Sequence, residues 1–198
     1  MYYLSMKLVV GLGNPGKEYE NTRHNTGMII LDCMLGKVNW DKSDNAKTLY
    51  FKDKLEDKPV EYLKPLTFMN KSGFTVLSVK NKHKLNLKDI IIIHDDIDLP
   101  IGKMKISFNR SSGGHKGLGS IIKTLKSEEF LRIRIGISAA TPSGKIKKPK
   151  GEKAVLNFIL GEFKKSELET LKKLSKKVAE AIEVIFTESK EKAMSLYN

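Results

Sequence analysis

The sequence predicts an α/β fold with a single mixed, largely parallel twisted sheet flanked by helices, a three-layer sandwich. Strand-like and helical segments alternate along the chain, which is typical of sheets with parallel strands. The run from Ile90 to Ile93 has no polar alternation, as expected of a central strand buried on both faces. No repeat or linker divides the 198 residues. We therefore predict one domain over residues 1–198, with residues 1–5 a dispensable extension.

Each element follows from its local pattern of apolar residues. The clearest is the last helix, in which apolar side chains recur at three- and four-residue spacing. Ser166 and Glu169 have the spacing of a capping box at its start. Strands are predicted at 7–10, 48–52, 60–63, 90–93, 103–108 and 132–137, and helices at 27–35, 70–83, 118–125 and 168–185. The segment 141–151 is predicted to be a mobile basic loop.

The charge balance points to a polyanionic partner. Lysine and arginine number 36 against 23 aspartates and glutamates, a net charge of +13. Such an excess favours nucleic acid through counterion release and long-range attraction, although a generally lysine-rich composition would produce the same excess. No apolar run approaches the roughly 18 residues of a membrane helix, and the first residues lack the pattern of a signal peptide. The sequence thus predicts a cytoplasmic protein that does not contact membranes.

A glycine-rich motif follows the first predicted strand. Gly11, Gly13 and Gly16 match the spacing of a dinucleotide-binding fingerprint. In that fingerprint a helix begins at once and directs its amides at a pyrophosphate. Here Pro15 and a polar stretch follow instead, which favours a loop that displays Asn14. An oxidoreductase with a nucleotide cofactor remains as an alternative.

His24, in the same polar loop, is the candidate general base. A neutral imidazole accepts a proton near neutral pH, because its ordinary pKa is about 6.5. Asp95 and Asp96 follow the 90–93 strand, at the edge where open α/β sheets bind ligands. A carboxylate on the far ring nitrogen would fix the tautomer and stabilise the imidazolium. The acidic cluster could otherwise be a solvated turn or a Mg²⁺ site.

A third segment, at the start of the second predicted helix, carries Phe68 and Asn70. Asn70 could cap the helix, or its amide could serve as donor and acceptor to a substrate carbonyl or a water. The ring of Phe68 could stack on a base or a ribose.

Taken together, six segments resemble the bacterial-type peptidyl-tRNA hydrolases in content and order. They are Gly-Leu-Gly-Asn-Pro-Gly at 11–16, Tyr19 with Thr-Arg-His-Asn at 22–25, Lys-Pro-x-Thr-Phe-Met-Asn-x-Ser-Gly at 64–73, His-Asp-Asp-Ile-Asp-Leu-Pro-x-Gly at 94–102, Gly-Gly-His-x-Gly-Leu at 113–118 and Arg-Ile-Arg-Ile-Gly-Ile at 132–137. The resemblance implies a usually monomeric enzyme without metal or cofactor. It would cleave the ester between a peptide and the terminal ribose of tRNA, recycling tRNA from aborted translation.

The resemblance also implies residue roles. His24 would activate water, Asp95 would hold it in its basic form, and Asn14 would help distinguish N-blocked peptidyl-tRNA from aminoacyl-tRNA. The peptide and the terminal nucleotide would be contacted by Tyr19, Phe68 and Asn70, with Asn25, Met69 and Lys116 as further substrate-binding residues. Lys103, Lys105 and Arg134 would hold tRNA phosphates.

Lys116 departs from the family pattern, which has asparagine at this position. A charged lysine cannot accept a hydrogen bond, so it cannot replace the asparagine directly. Lys116 could hold a phosphate or point away from the site, and its charge near His24 would lower the pKa of that imidazole. A non-catalytic RNA-binding module, which needs only the basic surface, remains a second alternative.

Overall fold

A computed structural model describes residues 6–198, so the predicted extension at 1–5 lies outside the described part. Eight strands within this range form one sheet in the order β2-β3-β4-β1-β5-β7-β6, with β8 paired to β7. The strands β4, β1, β5 and β7 are parallel to their neighbours in this central group, and the outer pairs are antiparallel. The strands are β1 Lys7–Gly11, β2 Asp41–Ser43, β3 Thr48–Leu55, β4 Lys58–Pro65, β5 Ile90–Pro100, β6 Met104–Phe108, β7 Leu131–Ala140 and β8 Ile146–Lys147.

Six α-helices in the described residues cover the two faces of this sheet. On one face, Val10 and Ile92 pack in a buried cluster with Val76 and Ile121 of α2 and α3. On the other face a second cluster contains strand residues together with α1, α5 and α6. The predicted mixed sheet between helical layers is therefore confirmed. The helices are α1 Thr26–Leu35, α2 Ser72–His83, α3 Lys116–Leu125, α4 Glu152–Leu160, α5 Lys165–Thr187 and α6 Lys190–Tyr197.

The structure corrects the sequence prediction in several places. The predicted capping box at Ser166 is wrong: the N-cap of α5 is Lys164, two residues earlier, and the Glu167 carboxylate accepts a 2.7 Å hydrogen bond from the Lys164 amide. The predicted loop 141–151 contains β8, which pairs with the end of β7. The strand β2 and the helices α4 and α6 were not predicted. No helix in residues 6–198 is long and apolar enough to cross a membrane.

Two glycines bring α1 close to the sheet and thereby place the loop before it. A Cβ on Gly27 would lie 2.3 Å from both the Ile93 carbonyl oxygen and the Leu12 amide nitrogen. A Cβ on Gly11 would lie 2.4 Å from the Gly27 carbonyl oxygen. Only glycine fits such backbone contacts. The start of α1 therefore sits directly against the carboxyl end of β1 and against Ile93 within β5.

Candidate active site

A cleft of about 1110 Å³ opens at the carboxyl ends of β1 and β5, the edge that the sequence predicted. Its walls are the loop after β1, the turn before α2, the loop before α3 and one face of α4. Most of the predicted site residues line it: Asn14, Tyr19, His24, Phe68, Met69, Asn70, Asp95, Lys116 and Arg134. Three predicted residues do not, namely Asn25, Lys103 and Lys105.

His24 and Asp95 meet in this cleft although 71 residues separate them. The Nδ1 atom of His24 lies 3.0 Å from each carboxylate oxygen of Asp95. Both side chains are buried, with 5% and 4% of their residue surfaces exposed. His24 belongs to a 3₁₀ turn, Arg23–Asn25, that leads into α1. The close approach at Gly27 is what carries this turn to the end of β5.

The ionisation of the pair follows from opposing effects. Burial lowers the pKa of His24, but the charge and the hydrogen bond of Asp95 outweigh it, so the pKa is raised. Burial also favours the neutral acid of Asp95, yet the two histidines beside it hold its pKa far below the ordinary value. Asp95 is therefore a carboxylate at neutral pH, and the Nδ1–H of His24 donates to it. The lone pair of His24 Nε2 is left as the base.

His115 is a second ring on the same carboxylate, and no role was predicted for it from the sequence. Its Nδ1 caps α3 by accepting from the amides of Gly117 and Leu118, at 3.1 and 3.3 Å. The proton must then be on Nε2, which donates to Asp95 at 2.9 Å. The ring centroids of His24 and His115 are 4.9 Å apart. The signal available in the sequence was the N-cap position of this histidine in front of an apolar helical pattern.

His94 supports the other side of Asp95 and was also missed as a site residue. Its Nδ1–H donates to the Asp95 carbonyl at 2.7 Å, and its ring meets His115 edge to face at 4.9 Å. Burial, with the charges of neighbouring groups, lowers its pKa to about 3. His94 is thus a neutral ring that fixes the backbone of Asp95.

Asn14 presents only half of its amide to the cleft. Its Oδ1 accepts a 2.8 Å hydrogen bond from the Met69 backbone amide, which leaves Nδ2 for a substrate. Asn25 holds the backbone of Asn14 from both sides: its Oδ1 accepts from the Asn14 amide and its Nδ2 donates to the Asn14 carbonyl. Both ends of the buried Asn25 side chain are engaged in bracing Asn14, so substrate binding by Asn25 stays a prediction, and the observed contacts give it a supporting position behind Asn14. Met69 contributes through its backbone and is itself buried.

The exposed rim of the cleft is partly aromatic. Phe68 is 55% exposed and meets the ring of Tyr19 edge to face, with centroids 6.4 Å apart. Asn70 follows in the 3₁₀ turn Met69–Lys71 and is exposed. These three residues surround the entrance to the cleft.

The predicted basic residues differ in exposure and in whether a carboxylate neutralises their charge. Arg134 is ion-paired with Asp96 at 2.6 Å, so much of its charge is neutralised. Lys103 and Lys105 are exposed beside it, the latter opposite Arg134 in the β6–β7 register, and lie outside the cleft. Lys116 begins α3, and its mostly exposed side chain points to Glu152 of α4, with Nζ 3.8 Å from Oε1. The sequence left open whether Lys116 holds a phosphate or points away from the site. The structure places its mostly exposed side chain at the mouth of the cleft.

One wall of the cleft, α4, is anchored to the residue before His24. The Arg23 guanidinium donates to the Glu162 carbonyl at 2.6 Å and pairs with Glu167 at 3.0 Å. It also lies over the rings of Phe158 and Phe163, 4.8 and 5.1 Å from their centroids. One guanidinium therefore joins the end of α4, the start of α5 and the loop of the base.

His24, Asp95 and His115 could in principle hold a metal ion, because their nearest ligand atoms lie within 4.8 Å of one another. The hydrogen bonds show a different use. Since the Nδ1 lone pair of His115 is taken by backbone amides, its Nε2 carries a proton and cannot coordinate a metal. The Nδ1 of His24 likewise carries the proton that Asp95 accepts. The donor set fits a hydrogen-bonded base rather than a metal centre.

The geometry defines the class of protein. Among residues 6–198, no serine hydroxyl or cysteine thiol makes a hydrogen bond to His24, so the base has no covalent nucleophile to activate and is suited to water. The helix that a dinucleotide fingerprint needs is missing too, since only the short turn Lys17–Tyr19 follows Gly16. An α/β hydrolytic enzyme is the class that this fold and site describe.

Comparison with known proteins identifies the family. The chain belongs to the peptidyl-tRNA hydrolase family, whose model matches residues 8–198. A peptidyl-tRNA hydrolase of Thermotoga maritima is 42% identical over 191 residues, 96% of each chain. One of Mycoplasma capricolum is 40% identical over 168 residues, 84% of this chain and 86% of the relative. The crystal structure of the Acinetobacter baumannii enzyme superposes with a TM-score of 0.86 at 26% identity, covering 100% of this chain and 97% of that one.

Proposed function

We propose that this protein hydrolyses the ester bond of peptidyl-tRNA by general-base catalysis, with His24 as the base. The observation that supports the role of His24 is its bond to Asp95, which directs the free Nε2 lone pair away from the carboxylate. Asn14, Phe68 and Asn70 lie around the same cleft as candidate contacts to the substrate. The substrate ester is an activated acyl group, and an oriented water with a base is sufficient to cleave it.

The proposed reaction needs one water and one proton carrier. His24 Nε2 takes a proton while the water oxygen bonds to the ester carbonyl carbon. The carbonyl oxygen becomes negative in the tetrahedral intermediate, and the free amides of Asn14 and Asn70 are the nearby donors that can stabilise it. The bond from that carbon to the ribose oxygen then breaks, and His24 returns the proton to the ribose oxygen. Free tRNA and the peptide carboxylic acid are the products, and the acid releases its remaining proton to solvent to become a carboxylate.

Asp95 serves this reaction in two ways. As a hydrogen-bond acceptor it keeps the proton of neutral His24 on Nδ1, so that Nε2 is the basic atom. As a buried charge it stabilises the imidazolium that forms when His24 accepts the second proton. Its hydrogen bond from His115 fixes the carboxylate for both tasks.

The nucleic-acid part of the substrate requires positive charge outside the cleft. Lys103 and Lys105 are exposed and fit this role better than Arg134, because the latter is paired with Asp96. Lys116 is mostly exposed at the cleft mouth, where a phosphate could displace Glu152 from it. The enzyme is proposed to act as a monomer in the cytoplasm, where peptidyl-tRNA is released from ribosomes.

The test is release of tRNA from an N-acetylated aminoacyl-tRNA in buffer that contains a chelator. The wild-type protein is expected to cleave it, and His24→Ala should lower kcat by roughly 10²-fold or more while deacylated tRNA still binds. His83→Gln, which changes a histidine at the end of α2, is the matched control and should cleave normally. Binding of tRNA without cleavage by the wild type would overturn the proposal in favour of an RNA-binding module.

A further inference from the structure

A second pocket, with a volume of about 540 Å³, lies between α2 and α3 on the face of the sheet that carries these helices. Asn70 and Lys71 line both this pocket and the catalytic cleft, so the two cavities are neighbours around one turn of chain. The catalytic mechanism uses nothing in the second pocket beyond Asn70. A ligand that extends from the cleft past this turn would enter the pocket directly.

Three lysines surround the pocket and come from three different parts of the fold. Lys47 precedes β3, Lys71 lies just before α2, and Lys123 is on α3. All three are exposed, none forms an ion pair in the described part of the chain, and no aspartate or glutamate lines the pocket. Converging unpaired cations without a protein counter-ion are complementary to an anion.

The pocket is held rigidly by the packing beneath it. The Lys47 carbonyl accepts hydrogen bonds from the Leu66 amide at 2.8 Å and from the Thr75 hydroxyl at 3.4 Å. The Gly73 amide donates to the Ser120 hydroxyl at 3.0 Å, which ties the start of α2 to α3. These bonds fix the backbone beneath the pocket before any ligand binds, so the ordering that binding requires is mainly that of the lysine side chains.

The remaining lining adds an aromatic face and an unused hydroxyl. Phe74 lines the pocket and is 50% exposed, whereas Val76 and Val79 of the same helix are buried in the core. The hydroxyl of Thr67 is buried and has no hydrogen-bond partner among the described residues. Lysines for phosphate and an exposed ring for a base are the combination that binds single-stranded nucleic acid.

We propose that this α2–α3 pocket binds one nucleotide of the single-stranded 3′ end of an RNA substrate. The phosphate contacts Lys47, Lys71 and Lys123, and the base stacks on Phe74. This inference rests on the proposed function for the identity of the RNA, but it assigns a site that the hydrolytic mechanism does not require. It predicts that RNA is recognised on the α2–α3 side of the cleft as well as on the β6 side.

The test measures binding of uncharged RNA, so it does not depend on catalysis. Two hairpins with the same stem are compared by fluorescence anisotropy, one with a four-nucleotide single-stranded 3′ end and one blunt. The wild-type protein should bind the hairpin with the single strand more tightly. The triple variant Lys47→Gln, Lys71→Gln, Lys123→Gln should bind that hairpin about tenfold more weakly. The slope of its salt dependence should also flatten by about 0.7 for each phosphate that the lysines no longer neutralise.

The matched control is the triple variant Lys173→Gln, Lys176→Gln, Lys177→Gln on α5. These lysines are exposed on the opposite face of the sheet, and the change in net charge is the same. The control should keep the preference for the single-stranded end. Phe74→Ala should weaken binding of this hairpin about fivefold or more without flattening the salt dependence, since stacking releases no counterions.

Three results would overturn the inference. Equal losses of affinity in the two triple variants would mean that the lysines act only through net charge. If the pocket variant loses as much affinity for the blunt hairpin as for the hairpin with the single-stranded end, the pocket is not a site for a single strand. If the pocket variant binds RNA normally but no longer binds an oligoglutamate peptide that the wild type binds, the pocket is a site for an acidic peptide. Failure of the wild type to cleave acylated tRNA contradicts the proposed function instead and is read in a separate assay.

Discussion

His115 and Asp95 are joined by a 2.9 Å hydrogen bond whose direction is fixed by a helix. Backbone amides at the start of α3 occupy the Nδ1 lone pair of His115, and the proton is therefore on the Nε2 that faces Asp95. The carboxylate beneath the base thus receives one donor from the loop before α1 and one from the loop before α3. The two loops can form the site only when both are in place.

The two duties of His115, capping α3 and holding Asp95, are separable by substitution. Asparagine is a good N-cap residue but is too short to reach Asp95, so His115→Asn should retain stability and lose about tenfold in kcat. His115→Ala should lose a similar factor in kcat and also about 1 kcal/mol of unfolding free energy. Steady-state kinetics and urea unfolding check the two effects. A normal kcat for His115→Asn would show that the bond to Asp95 has no catalytic effect.

Asp95→Asn should move the pH dependence of the reaction as well as its rate. In the proposed mechanism the active form has a neutral His24, so kcat/KM should rise with pH through a pKa above the ordinary 6.5. Without the carboxylate, burial alone acts on His24 and lowers its pKa. The acidic limb should therefore shift to lower pH while the plateau falls by roughly 10²-fold or more. A limb that stays in place would mean that another group titrates.

Asn14→Asp isolates the free half of the amide. The aspartate can still accept the hydrogen bond from the Met69 amide, but it replaces the Nδ2 donor with a negative oxygen. The variant should cleave N-acetylated aminoacyl-tRNA about tenfold or more slowly, because a donor to the substrate is removed. Its carboxylate should also attract the free ammonium of aminoacyl-tRNA, so discrimination between the two substrates should narrow. The ratio of the two kcat/KM values measures this, and an unchanged ratio would contradict the assignment.

His94 should make the protein less stable in acid. Its pKa is about 3 in the folded state and about 6.5 when unfolded, so between these values the unfolded chain binds the additional proton. Stability should thus fall as pH decreases from about 6.5, by up to about 1.4 kcal/mol per pH unit from this group. In His94→Gln that contribution is absent. Urea unfolding at several pH values measures the free energy of unfolding of both proteins. The difference between wild type and variant should shrink or reverse toward pH 4. A difference that stays constant with pH would contradict this prediction.

The contact between His24 and Asp95 and the central sheet could be predicted from sequence because their signals are local. The apolar run at Ile90 leads into Asp95, and the ends of parallel strands meet at one edge. The roles of Asn25 and His115 could not be predicted, since each depends on which backbone groups a side chain reaches after folding. The helix α4 was not predicted because its apolar residues do not all face the core. Leu156 and Leu160 line the cleft and are 50% and 39% exposed, so the apolar positions lack the single-face spacing of a core-facing helix.

The Arg23 guanidinium links the position of α4 to the turn that carries His24. Since it binds the Glu162 carbonyl and lies over Phe158, any displacement of α4 pulls on the residue next to His24. Widening the entrance by moving α4 would therefore also strain the turn that carries His24. We expect a molecule wedged against α4 to disturb the orientation of the imidazole without touching the ring.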